Sequence, residues 1–400
     1  MLRFLTAGES HGKALSVIVE GVLAGLALSE DYVAADLRRR QGGYGRGGRQ
    51  QIEQDRAQII SGVRHGLTLG SPIALSIENR DWVNWQEVMA VEPVAGPVEK
   101  VTRLRPGHAD LAGVMKYLQD DVRPVLERAS ARETAARVAV GAVCRRLLEE
   151  FGVRVRSHTV GVGGVEAKAD GEPDWDAVEA SPVRCADKAA EKRMIEAIDA
   201  ARNDGDSLGG VVELWATGVP IGLGSHAHWD RKIDGLLAQA LMSIHAVKGV
   251  EIGGGFGLAG QRGSQVHDVI LPVTEWGERP WQRASNRAGG TEGGMTNGEP
   301  VVARAALKPI STIRKSLPSA DLASGERVEA HYERADVCVV PAAGVIAEAM
   351  VCVVLAQALL EKFGGDHLEE TRRNYQAYTK TVGPRGGAPV PPGQEEATEV

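Results

Sequence analysis

Apolar positions recur at helical spacing in four stretches, each with its own start and stop signals. Ser29 is placed to cap a helix with Glu30 and Asp31 in its first turn and Arg38, Arg39 and Arg40 in its last, stopped by Gly42 and Gly43. Ser130-Ala131-Arg132-Glu133 has the form of a capping box; the helix behind it runs through Ala135, Val138, Ala142, Val143 and Leu147 to Gly152. Its alanine-rich interior suits close packing against another helix. The same grammar predicts helices over 187–203, stopped by Gly205, and over 230–247, stopped by Gly249, the latter with Ile233, Leu236, Leu237, Ala240, Leu241 and Ile244 as its apolar stripe. Stretches 71–77, 210–215 and 300–306 read as strands between them. Residues 337–360 are almost wholly apolar, but Pro341 divides them and Glu348 lies inside. They predict a strand followed by a buried helix rather than a membrane span.

Composition sharpens this picture at two points. The chain holds 49 Gly in 400 residues, well above the usual share of roughly 7%, so many backbone positions turn tightly or approach something closely. A net charge of −7 argues against a general nucleic-acid binder, whose affinity needs a basic surface. Basic clusters therefore have local targets. Cys144, Cys185, Cys338 and Cys352 are far apart and in no Cys-x-x-Cys pair, which predicts reduced structural thiols. The first residues meet glycine and charge too early for a signal peptide, so a cytoplasmic protein is expected. No linker divides the chain. One domain over 1–382 is expected, with 383–400 as a disordered Gly/Pro-rich, acidic tail.

Candidate chemistry concentrates in loops. Arg38-Arg39-Arg40-Gln41-Gly42-Gly43-Tyr44-Gly45-Arg46-Gly47-Gly48-Arg49 combines guanidiniums, whose planar fork suits carboxylate and phosphate, with glycines that give a ligand access. A solvated basic loop or an RNA-binding Arg-Gly segment would look similar, though Tyr44 is its single aromatic. His11, in Gly8-Glu9-Ser10-His11-Gly12, and His108, in Arg105-Pro106-Gly107-His108-Ala109-Asp110, sit where an imidazole is accessible for acid or base work. The helix start at 127–133, flanked by Arg128 and Arg132, suits an anion. Residues 286–298 are too glycine-rich for a regular helix or strand and suggest backbone against a flat or phosphorylated ligand. Lys308-Pro309-Ile310-Ser311-Thr312 supplies an ammonium and two hydroxyls. A Gly-x-Gly-x-x-Gly run at 255–260 lacks the helix that a dinucleotide fold needs, Gly12-Lys13 is followed by Ala14 rather than Ser or Thr, and His226, His228 and Asp230 form a weak metal candidate.

Taken together and in this order, the loops resemble those of the chorismate synthase family, over nearly the whole chain. The motifs that carry the likeness are Ala7-Gly8-Glu9-Ser10-His11-Gly12, Arg-Arg-Arg-Gln-Gly-Gly-Tyr-Gly-Arg-Gly at 38–47, Arg-Pro-Gly-His-Ala-Asp at 105–110 and Ser-Ala-Arg-Glu-Thr at 130–134. Asp206-Ser207-Leu208-Gly209-Gly210, Gly293-Gly294-Met295-Thr296-Asn297-Gly298 and Arg334-Ala335-Asp336-Val337-Cys338 extend it. The resemblance implies an α+β sandwich with long helices between antiparallel sheets, assembled as a homotetramer. It also implies conversion of 5-enolpyruvylshikimate 3-phosphate to chorismate by a 1,4-elimination of phosphate that requires reduced FMN without net redox change.

Carried over position by position, the resemblance makes Arg40, Arg46, Arg49, Arg105, Arg132 and Arg334 the substrate clamp. His11 would be the acid for the departing phosphate, His108 would protonate or electrostatically stabilise the reduced flavin, and Asp336 would assist proton removal. FMN contacts would come from Arg128, Ala129, Ser130, His245, Ala246, Gly293, Lys308, Pro309, Ile310, Ser311, Thr312 and Arg334. His245 departs from the Asn or Gln expected at its position, and 274–281 has no assigned role. No added domain is recognised that would reduce flavin from a pyridine nucleotide, so reduced FMN is expected from an external flavin reductase or other source. Two other readings stand beside this one. An RNA-binding module would use the Arg-Gly loop, and a flavin oxidoreductase would consume reductant stoichiometrically.

Overall fold

The computed structural model describes residues 2–47, 54–168, 171–272, 280–333 and 336–383. Two antiparallel sheets form its outer layers. The first holds β1 (Arg3–Ala7), β2 (Ala14–Glu20), β3 (Ala57–Ser61) and β4 (Ile73–Glu78) in the order β1-β2-β4-β3. Alternation decides which face is covered: Leu15, Val17 and Val19 of β2 and Ile73, Leu75 and Ile77 of β4 are buried, while Ile18 points outward. The second holds β5 (Arg154–Val162), β6 (Val165–Glu166), β7 (Gly210–Thr217), β8 (Val247–Ile252) and β9 (Val301–Leu307) in the order β8-β9-β7-β5-β6.

Between the sheets lie α1 (Glu30–Gln41), α2 (Thr134–Glu149) and α5 (Val340–Phe363), with α3 (Lys188–Asp204) and α4 (Ile233–Met242) beside them. Helix α2 packs on the first sheet and on α5, which in turn packs on β5 and β7 of the second. The layers therefore run sheet, helix, helix, sheet, the α+β sandwich expected. The apolar stretch around Pro341 is this central helix, with Pro341 in its first turn and nearly every residue buried. Glu348 is tolerated inside it because Arg39, Arg145 and Arg184 meet its carboxylate at 2.8, 2.7 and 3.3 Å, and Ser157 Oγ donates to it at 2.6 Å.

Local signals hold where the cap is the whole story. Ser29 accepts from Tyr32 N, Asp187 accepts from Ala189 N and Ala190 N, and Gly205 ends α3 in the left-handed region. Elsewhere non-local pairing wins. The helix expected over 230–247 ends at Met242; Ala246 turns the chain at φ +67°, and Val247 opens a β-strand whose β-branched residues pair with β9. Gly249 follows a bulge in that strand rather than capping a helix. The capping box at 130–133 is half formed: Ser130 accepts from Arg132 N, but Glu133 accepts from Thr6 Oγ1 and Arg137 instead of closing the box. The strand expected from residue 337 does not form; Cys338 makes a single bridge to Leu208. The glycine-rich stretch 286–298 does hold a small hairpin, Thr291–Glu292 against Met295–Thr296, turned by Gly293 and Gly294, both with positive φ. All four cysteines are free and buried.

Candidate active site

One cavity of about 560 Å³ opens where the β1–β2 loop, the end of α1, the loop before α2, the turn after α4, the segment after β9 and the start of α5 converge. The loop that carries His11 is anchored on both sides. Asn79 Nδ2 donates to Gly12 O and Glu9 O, and Ser10 N donates to Glu127 O at 3.1 Å. His11 itself is held by the buried Glu127 carboxylate, whose oxygens lie 2.9 and 3.0 Å from Nδ1 and accept from the His11 backbone N at 2.8 Å. The Trp85 ring stacks on the imidazole at 3.9 Å, and Arg123 lies over the same indole. Burial alone would raise the Glu127 carboxyl; the hydrogen bonds and charge of His11, and Arg123, outweigh it and hold it low.

His108 is built alike. Its Nδ1 lies 2.5 Å from Asp110 Oδ1, and Asp110, with a fully buried side chain, also accepts from Arg105 N, Nε and Nη2 at 3.1, 2.9 and 3.0 Å. Nδ1 also lies 3.1 Å from Arg105 Nη2, a donor; the shorter contact to a carboxylate, which only accepts, favours the proton on Nδ1. Desolvation pushes the Asp110 carboxyl up, but His108 and Arg105 pull it well below the usual range. Gly107 sits at φ +78°, a backbone conformation that favours glycine, and Lys308 Nζ donates to its carbonyl at 2.5 Å and ties this loop to 308–312.

The guanidiniums share their supports. Asp55 offers one oxygen to Arg132 Nη1 at 2.5 Å and the other to Arg40 Nη1 at 3.4 Å. Arg40 also donates to Thr134 Oγ1 and Ala131 O, and Arg132 to Asn79 Oδ1. Arg40 uses three of its five N–H groups on described residues, leaving two for a ligand. Its burial, with Arg46 and Arg132 nearby, lowers its pKa to about 10 against the pull of Asp55. Arg46 pairs with Asp336 at 2.9 Å, Gly47 N donates to Asp336 at 2.6 Å, and Arg46 Nε is buried with no hydrogen-bond partner among the described residues. Glu333 on the wall would be raised by burial, but His331, Arg105 and Arg123 hold it at about 2. His245 lies across the cavity, its Nδ1 also buried and without a partner among the described residues, its pKa lowered first by burial.

Fifteen of the sequence-selected residues line this cavity: His11, His108, Asp336, Arg40, Arg46, Arg105, Arg132, Ala129, Ser130, His245, Ala246, Lys308, Ile310, Ser311 and Thr312. Arg49 and Arg334 lie outside the described residues. Three others are not on the wall. Pro309 is not among its lining residues; Arg128 donates to Gly8 O and Thr6 O and fastens β1 instead; Gly293 belongs to the hairpin turn. Of the glycines expected to give access, Gly47 lines the cavity, while Gly45 and Gly290 pack on protein. A Cβ at Gly45 would stand 2.9 Å from that of Cys338, and one at Gly290 would stand 2.4 Å from Pro300 O. No group of three metal-ligating side chains occurs among the described residues, and His228 pairs only with Asp230. Sequence reasoning assigned no role to Glu127, Asp55, Asn79, Trp85 or Glu333.

A sandwich with a pocket walled by buried arginines and two carboxylate-held histidines defines an enzyme for a small polyanion. A family model described as chorismate synthase matches residues 2–360. Chorismate synthase of Desulforudis audaxviator is 59% identical over 387 residues, covering 96% of this chain and 98% of its own. That of Symbiobacterium thermophilum is 56% identical over 395 residues, covering 96% and 100%. A solved structure titled "Crystal Structure of Chorismate Synthase" superposes with a TM-score of 0.76 at 46% identity, covering 95% of this chain and 98% of that one. The chain belongs to the chorismate synthase family, lyases of the shikimate pathway to aromatic amino acids.

Proposed function

We propose that this cavity eliminates phosphate from 5-enolpyruvylshikimate 3-phosphate to form chorismate, with FMN bound in the same pocket. The observation that carries the reading is the convergence of His11, His108 and the arginines 40, 46, 105 and 132 on one cavity. Arg40, Arg46, Arg105 and Arg132, with Arg49 and Arg334, bind the two carboxylates and the phosphate, and bidentate charge-assisted hydrogen bonds orient the ring. The bond from ring carbon to phosphate oxygen breaks, a ring C–H proton is lost, and the ring gains a double bond. His11 donates a proton to the departing phosphate. Asp336, held by Arg46 and Gly47, assists removal of the ring proton.

The residues present fit a flavin mononucleotide. Lys308, Ser311, Thr312 and Ser130 offer an ammonium and hydroxyls for a phosphate, Ile244, Leu307, Ala342 and Ile346 offer apolar wall, and the buried His245 Nδ1, with no partner among the described residues, is open to a hydrogen bond. Ala129, Ala246 and Ile310 line the same cavity, Arg334 is proposed beside them, and Pro309, Arg128 and Gly293, which lie off its wall, support the neighbouring segments. Bound reduced FMN supplies an electron-rich ring on which the elimination draws without net oxidation. His108, fixed by Asp110, stabilises charge there. Reduced flavin comes from an external reductase or another donor.

Residues 1–382 act as one catalytic domain, a reading supported by the core that runs from Leu2 to Leu368. The four free cysteines fit a cytoplasmic setting. A homotetramer is supported by the outer face of the first sheet, where Leu5, paired with Ile18, is 75% exposed and Ile60 is 64% exposed. The test of the reaction is anaerobic release of phosphate and appearance of chorismate absorbance with dithionite-reduced FMN and then without flavin. Equimolar products only with reduced FMN are expected. No products from a folded, FMN-binding protein would overturn the reading.

A further inference from the structure

His11 meets Glu127 and Trp85, two residues that lie outside the set with assigned roles. Glu127 is a fully buried carboxylate engaged on both oxygens: Oε1 with His11 Nδ1 at 2.9 Å and Arg123 Nη1 at 3.2 Å, Oε2 with His11 N at 2.8 Å and Nδ1 at 3.0 Å. Each of these partners reaches it as a donor. Because Glu127 accepts at both oxygens and donates at neither, the His11 Nδ1 must carry the proton, which leaves Nε2 for the cavity that His11 lines. Trp85 then fixes the plane of the ring, stacked at 3.9 Å with an interplanar angle of 26°. Trp85 is itself held by the hydrogen bond from Nε1 to Asp81 at 2.9 Å and by Arg123 at 5.2 Å from its ring. Arg123 thus touches both residues that grip the histidine.

We propose that Glu127 and Trp85 are positioning residues of the elimination, which select the Nδ1–H tautomer of His11 and aim Nε2 at the departing phosphate. The inference rests on His11 as the proton donor. The acid is the imidazolium, with a second proton taken from solvent onto Nε2; when the carbon–oxygen bond to phosphate breaks, that proton passes to a phosphate oxygen and the Nδ1 proton stays on the hydrogen bond to Glu127, so His11 ends as the neutral Nδ1–H tautomer. An amide at 127 cannot reproduce this arrangement. Its NH₂ would face either the His11 backbone N–H or the Arg123 N–H, and turning it to relieve one clash creates the other.

The experiment uses the full chain with reduced FMN. Glu127→Gln should lower kcat by about 100-fold or more, as loss of the tautomer-setting carboxylate does in hydrolase triads, with KM within about threefold. In ¹⁵N-histidine spectra recorded at alkaline pH, where imidazoles are neutral, the His11 signal, assigned by its loss in His11→Gln, should report Nδ1–H in the parent protein and a mixture or the Nε2–H form in Glu127→Gln. Trp85→Leu, in a half-buried segment whose loss does not open the core, should lower kcat about tenfold at unchanged KM, and Trp85→Phe should recover most of it. A parent protein that turns over while Glu127→Gln and Trp85→Leu keep its kcat would overturn the inference. So would an Nε2–H tautomer in the parent. Failure of the parent to release phosphate would instead overturn the assigned reaction.

Discussion

Gly141 on α2 faces Ala349 on α5 so closely that a Cβ added at position 141 would stand 2.2 Å from the Ala349 Cβ and 2.4 Å from its Cα. The two central helices touch backbone to backbone there, and the contact sets the spacing of both sheets, since each helix carries one of them. The clash is with main chain and with a methyl that has no rotamer to move. Gly141→Ala is therefore expected to destabilise the protein by about 1–3 kcal/mol despite its gain in helix propensity, with Gly141→Val worse. Urea denaturation of the two variants measures this, and a midpoint for Gly141→Ala at or above that of the parent would contradict the packing described.

Glu348 predicts how the fold responds to acid. Burial would raise its carboxyl, yet Arg39, Arg145 and Arg184 hold it at about 2. A folded pKa below the unfolded value of about 4.3 gives stability that is fully present above pH 5 and is lost as pH falls toward 2, on the order of 3 kcal/mol in all. Glu348→Gln leaves three guanidiniums without their shared anion and should cost about 3–5 kcal/mol at pH 7. The gap between parent and variant should narrow as pH drops below about 5. A gap independent of pH from 7 to 4 would show that the charge on Glu348 is not what stabilises the helix.

How much of this was readable in the residues depended on distance along the chain. His108 and Asp110 are two residues apart, and their pairing could be anticipated from one loop; α1 and α3 carry their own caps. Glu127 is 116 positions from His11, and Asp55 is 77 from Arg132, so no local pattern joins them. The end of α4 was misread for a related reason: the periodicity through Ile244 continues a helix, but only pairing with β9, more than 50 residues on, makes 247–252 a strand. Glycines misled differently. The sequence announces that Gly45 and Gly290 must approach something closely, but a ligand and a neighbouring backbone leave the same signature.

Asp55 is the test of the arginine clamp. One carboxylate fixes two guanidiniums that otherwise repel across the cavity floor, with oxygens at 2.5 and 3.4 Å. Asp55→Asn keeps the shape and removes the charge. The expected outcome is a KM for 5-enolpyruvylshikimate 3-phosphate raised about tenfold or more while the Kd for FMN moves by less than about threefold, because the defect lies in the preorganisation of Arg40 and Arg132. Equal losses in both constants would mean that the whole cavity had collapsed.

His245 supplies a test of the cofactor reading through its proton. The turn that carries it is held by Arg137, which donates to Ser243 O and Oγ and is itself paired with Glu133. Burial is the first cause of its lowered pKa, with Arg137, His108 and Arg40 acting in the same direction and Glu133 against, so the imidazole is neutral at pH 7. A flavin settling over Nδ1 removes more water from the ring and disfavours the imidazolium further. Binding is therefore coupled to proton release, and affinity in the parent should fall as pH drops through the lowered His245 titration while staying level above 7. His245→Asn retains a donor and an acceptor without a titration and should bind FMN with a shallower profile, set by the FMN phosphate alone. Flavin fluorescence quenching measures both curves. Superimposable profiles would remove His245 from contact with the cofactor, and no FMN binding by the parent at any pH would remove the cofactor from the cavity.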